Sequence, residues 1–96
     1  MKKYLITATF NWNEEMMDLV QEHRQHINHL IDEQVIEHYV VSMEIQTVWI
    51  TINAKTKREA KAYLQPSPFY KHFRIAVNEL MVWDGQLYRL PAVQLN

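Results

Sequence analysis

VIEHYVVSMEIQTVWITINA, residues Val35 to Ala54, is the stretch on which the fold turns. Val35 to Ser42 and Thr47 to Ala54 are rich in β-branched and aromatic residues, and Met43-Glu44-Ile45-Gln46 lies between them as a polar-leaning link. That pattern reads as a hairpin, although the link has none of the Gly, Asn or Pro that usually mark a turn. A link of that length sets Val40 opposite Trp49 and His38 opposite Thr51. Because successive side chains on a strand point to opposite faces, Tyr39, Val41, Val48, Ile50 and Ile52 share one face. His38, Val40, Trp49 and Thr51 share the other.

Outward from the hairpin, Tyr4-Leu5-Ile6-Thr7-Ala8-Thr9-Phe10 reads as a first strand rather than a signal peptide, since its apolar part is short and no cleavage site follows. Asn13 then caps a helix that carries Glu14 and Glu15 in its first turn, where the helix dipole favours acids. The helix is expected to run to about Glu33. Met16, Leu19, Val20, His23, Ile27, Leu30 and Ile31 form its apolar stripe, opposite Asp18, Gln21, Glu22, Gln25 and Asp32. Thr56 and Glu59 have the spacing of a capping box and start a second, shorter helix to about Leu64, which Pro66-Ser67-Pro68 ends. Phe73, Ile75 and Val77 alternate with Arg74, Ala76 and Asn78 in a last strand ending near Trp83. After Asp84-Gly85 comes a tail with Leu87, Leu90, Val93 and Leu95, apolar enough to need cover on a partner subunit or a sheet edge.

The order β-α-β-β-α-β is the split ferredoxin-like arrangement, an α+β fold with a four-stranded antiparallel sheet and two helices on one face. The second face would be bare in a monomer, and Leu5, Thr7, Thr9, His38, Val40, Trp49 and Thr51 make it too apolar for plain solvent. A homodimer pairing two such sheets into a barrel is the expectation. The 96 residues form a single domain with its core over 3–83 and a tail over 84–96. A chain this short buries only about 60 to 68% of its unfolded surface, which also favours self-association.

At this level the chain resembles the muconolactone isomerase and YCII-related proteins, a family of dimeric α+β barrels, over roughly residues 3 to 83. Three stretches carry the likeness: Leu30-Ile31-Asp32-Glu33-Gln34 at the helix end; Val48 to Ala54 leading to Thr56-Lys57-Arg58-Glu59; and Pro66-Ser67-Pro68-Phe69 leading to Ile75-Ala76-Val77-Asn78-Glu79-Leu80. The resemblance implies cofactor-free proton transfer on a small apolar carboxylic acid or lactone. It also implies a role for His23, which stands where YCII-like members carry a helix histidine. Gln34 stands where the family has glycine, and the second strand has no aspartate to partner that histidine.

Taken by chemistry, His23 is the candidate catalytic residue, because an imidazole facing a cavity can exchange a proton near neutral pH. The alternative is a core histidine held by a backbone carbonyl. Arg24 and Arg74 are candidate anchors for a substrate carboxylate, and Trp49, Tyr39, Phe69 and Tyr70 are candidate walls of an apolar pocket. His23, His26 and His29 rotate round the helix and form no metal-ligating pair, so no metal is expected. Ten basic residues against eleven acidic ones supply no field for nucleic acid, and Thr47 to Ile52 lacks the glycine and basic residue of an RNA-binding strand. No apolar run is long enough to span a membrane, and the lack of cysteine fits a cytoplasmic setting. The competing function is a non-catalytic dimeric module that binds a metabolite or a partner protein. A cavity of about 300 Å³ or more beside His23 favours the small-molecule reading, and a packed site favours the module.

Overall fold

The computed structural model describes residues 1–85. Its elements are β1 (Lys2–Thr9), α1 (Glu14–Asp18), α2 (Val20–Asp32), β2 (Ile36–Ser42), β3 (Thr47–Ala54), α3 (Lys57–Leu64) and β4 (Arg74–Leu80), with one 3-10 turn at Tyr70–His72. The strands form one antiparallel sheet in the order β2-β3-β1-β4, the split ferredoxin-like topology. The hairpin register is the expected one: Val40 lies opposite Trp49 and His38 opposite Thr51. Gln46 supplies the turn geometry that glycine or asparagine usually provides, at φ 47°.

The face turned to the helices carries Tyr4, Ile6 and Ala8 from β1 and Val48, Ile50 and Ile52 from β3, all buried. Met16, Ile27 and Leu30 pack on it from the first helical segment, and Ala60 and Leu64 from α3. The sheet's other face carries Leu5, Thr7, Trp49 and Thr51, all half-buried, together with exposed Val40.

Three expectations change in detail. The first helix is interrupted at Leu19, whose N–H bonds the carbonyl of Met16 at 3.1 Å, three residues back instead of four, before a new helix begins at Val20. The apolar stripe is also narrower than its periodicity implies, since Val20 and Ile31 sit at its exposed margins. The last strand ends at Leu80 instead of near Trp83. The helix caps follow the sequence, with Asn13 Oδ1 accepting from the Met16 N–H at 2.9 Å and Thr56 Oγ1 from the Glu59 N–H at 3.1 Å. α2 ends in a Schellman motif, in which the Val35 N–H reaches the Leu30 carbonyl and the Gln34 N–H that of Ile31. Gln34 holds its left-handed position at φ 63°. The expected packing of the tail concerns residues beyond 85, outside those described.

A β-bulge interrupts β2 between Ile36, opposite Ile52, and His38, opposite Thr51. Glu37 is the extra residue, and its carboxylate pairs with the ammonium of Lys3. That ammonium also donates to Asn53 Oδ1 at 3.0 Å and lies 4.8 Å from the centre of the Trp83 ring. Burial holds the Lys3 pKa below the usual lysine range.

Candidate functional site

The helical stripe carries His23 to the sheet, where the side chain is 2% exposed. Its ring stacks on Phe69, with centroids 4.1 Å apart and planes 13° from parallel, and meets Phe73 edge-on. Both ring nitrogens are engaged by hydroxyls, Nδ1 with Ser67 Oγ and Nε2 with Tyr39 Oη, each at 2.6 Å. Histidine is thus neither held by a backbone carbonyl nor left with a bare nitrogen. Each hydroxyl has its own reason for being there. Tyr39 faces the helices because β2 alternates, and Ser67 is fixed in the turn after α3, where its N–H bonds the Leu64 carbonyl and its Oγ accepts the Phe69 N–H at 3.0 Å.

Burial sets the electrostatics. It pushes the His23 pKa down to about 4, helped by the positive charges of Arg24 and His26, so the ring is neutral at pH 7. Burial also raises the Tyr39 phenol to about 12, against the opposing pull of Arg24, whose guanidinium lies 5.3 Å from the centre of the tyrosine ring. The result is a neutral chain of hydroxyl, imidazole and phenol.

Its imidazole and phenol form part of the wall of an apolar pocket of about 180 Å³, while Ser67 lies behind His23 and borders a surface hollow on the other side. Phe10, Trp12, Met16, Phe69 and Phe73 supply its aromatic and thioether lining, and Val41 and Met43 reach it from the hairpin. The volume falls short of the about 300 Å³ that favours a small-molecule site, though it exceeds the about 150 Å³ of a cavity that admits benzene. A single small ring is the size of molecule it suits.

Of the sequence candidates, His23, Arg24, Tyr39 and Phe69 converge on this pocket. The others do not. Trp49 lies on the opposite face of the sheet. Tyr70 borders a surface hollow with Leu19 and Pro68. Arg74 is exposed in a larger, polar hollow of about 550 Å³ with Lys71 and His72, separated from the His23 pocket by Phe10 and Phe73, which line both. His26 serves the scaffold, its Nε2–H donating to the Tyr63 carbonyl at 2.7 Å and so joining α2 to α3. Sequence reasoning treated Ser67 only as part of a helix stop and missed its place beside His23, a contact that spans 44 residues of chain. Phe10, Trp12 and Phe73 were likewise not singled out as lining residues. Among the described residues no helix is long and apolar enough to cross a membrane. No protein-family model matches the chain, and no curated protein matches its sequence.

Proposed function

We propose that the chain binds a small, mostly apolar carboxylic acid or lactone in the His23 pocket and acts on it by cofactor-free proton transfer, as the muconolactone isomerase and YCII-like proteins it resembles do. The observation that carries this reading is a neutral, hydroxyl-bonded histidine on the wall of an apolar pocket of single-ring size. A neutral imidazole between two hydroxyls can relay a proton from one to the other. Arg24 at the margin supplies a positive charge for an acid group, while the aromatic lining holds the carbon skeleton. Thermal unfolding with benzoate and with δ-valerolactone tests the reading. The wild type is expected to be stabilised by one of them and His23→Asn by neither. Equal shifts in both proteins would remove His23 from the site.

The open sheet face supports a second element of the proposal, an isologous homodimer in which two sheets pack through Leu5, Thr7, Val40, Trp49 and Thr51. Val40 at 52% exposure and a half-buried tryptophan on the same face are what a covering sheet would bury. Light scattering across a dilution series should show a dimer at micromolar concentration, and a monomer throughout with fully solvated Trp49 fluorescence would overturn it. A non-catalytic dimeric module is the alternative that remains if the dimer forms and no ligand stabilises the protein.

A further inference from the structure

The hydroxyl–imidazole–phenol chain has a direction, and its direction decides which group meets a ligand. A serine hydroxyl has one proton and two lone pairs. Ser67 Oγ already accepts the Phe69 N–H, and Ser67 is 5% exposed. Were His23 Nδ1 protonated, it would occupy the second lone pair and strand the buried Ser67 proton, since among the described residues no other acceptor bonds that oxygen. Were Nδ1 unprotonated, the Ser67 proton would go to it and every polar group of Ser67 would be satisfied. The neutral ring then carries its proton on Nε2 and donates it to Tyr39 Oη. Tyr39 is therefore an acceptor toward His23, and its own proton is left over.

Tyr39 is half-buried and forms part of the pocket wall, beside Arg24. We propose that Tyr39, held in place by His23 and Ser67, is the residue that contacts the ligand, donating its hydroxyl proton to a carbonyl or carboxylate oxygen of a single-ring molecule. His23 is then a positioning residue, whose Nε2–H orients the phenol oxygen and polarises its O–H. The inference rests on the pocket reading above and adds the group that touches the ligand and the ligand chemistry it selects. An oxygen acceptor is required, and a hydrocarbon of the same size gains nothing from the phenol.

Two measurements test it. In the unmodified protein, nitrogen NMR of the His23 ring at pH 7 is expected to show the proton on Nε2, and a proton on Nδ1 would overturn the direction of the chain whatever the pocket binds. Next, binding of δ-valerolactone and of toluene is measured on the wild type and on Tyr39→Phe by NMR titration. The lactone is expected to lose about tenfold in affinity with Tyr39→Phe while toluene changes less than about twofold, the difference being one hydrogen bond to a neutral acceptor. Equal lactone affinity in both proteins would overturn the role of Tyr39 and leave the pocket intact. Binding of neither probe to the wild type would overturn the pocket reading, and this inference with it. The toluene arm on Tyr39→Phe also reports whether the variant keeps its pocket folded.

Discussion

The two faces of the sheet each bury polar side chains among apolar neighbours, and they solve the problem differently. Under the helices, Ser67, His23 and Tyr39 satisfy one another as neutral groups, and burial keeps the imidazole uncharged. On the other face, Lys3 is buried as an ammonium, held by Glu37, Asn53 and the Trp83 ring. His23 lies among the rings of Phe69, Phe73 and Tyr39 with an apolar pocket beside it, so a charge on its ring would have no opposite charge in contact among the described residues and would be poorly hydrated. The Lys3 cluster sits at a bulge near the strand ends, where Glu37 retains some contact with solvent, and an ion pair survives because its desolvation is partial. Neutral networks suit a buried place from which charge is excluded. Ion pairs suit a place where a strand must be held in register.

Acid is the strongest way to break this contrast. An unfolded histidine protonates near its ordinary value of 6.5, whereas folded His23 does so only at about 4. Between those values the unfolded chain binds more protons, so stability falls as pH drops through the window. The loss attributable to His23 should reach about 3 kcal/mol by pH 4. Urea unfolding at pH 7, 5.5 and 4 checks this against His23→Gln, which should lose that part of the slope. A wild-type slope no steeper than that of His23→Gln would mean the ring is not held neutral by the fold.

The opposite face should respond to partner removal instead. Glu37→Gln replaces the carboxylate beside the Lys3 ammonium by a neutral amide, at an expected cost of about 2 kcal/mol, below the range for fully buried pairs because Glu37 is not fully enclosed. Replacing the pair together, Lys3→Met with Glu37→Leu, should recover most of that loss. If the double variant were as unstable as Glu37→Gln, the pair would be contributing attraction beyond what it costs to desolvate. The smallest effect is expected at Gln34, where a side chain occupies left-handed backbone at the end of α2. Gln34→Gly should stabilise by about 0.5 to 1 kcal/mol in the same urea assay without altering either face.

Much of the scaffold can be read from the chain because it repeats. The burial of β3 alternates from Val48 to Ala54, and its register against β2 follows from the link length alone. The break at Leu19 is invisible to that reasoning, since Met16, His23, Ile27 and Leu30 stay in phase across it. The site is legible only halfway. His23 stands out as a polar residue inside an apolar stripe, and Tyr39 faces it by strand alternation, but no periodicity points to Ser67. A serine between two prolines reads as punctuation, and its bond to His23 depends on how α3 and the following turn return across the sheet. Lys3 is hidden for a related reason: the bulge that brings Glu37 to it has no sequence signature here.

Gln46 fastens two parts of the pocket rim that are far apart in the chain. Its carbonyl accepts the Phe10 N–H at 3.1 Å and its side-chain Oε1 accepts the Trp12 N–H at 2.7 Å, while its own hairpin carries Val41 and Met43 to the other side. Gln46 thus ties the Phe10–Trp12 segment of the lining to the hairpin that supplies Val41 and Met43. For a lineage under changing selection, or for an engineer, that makes the entrance adjustable from outside: shortening the side chain at 46 releases the Trp12 backbone and leaves His23 and Tyr39 untouched, so aperture and chemistry can vary independently.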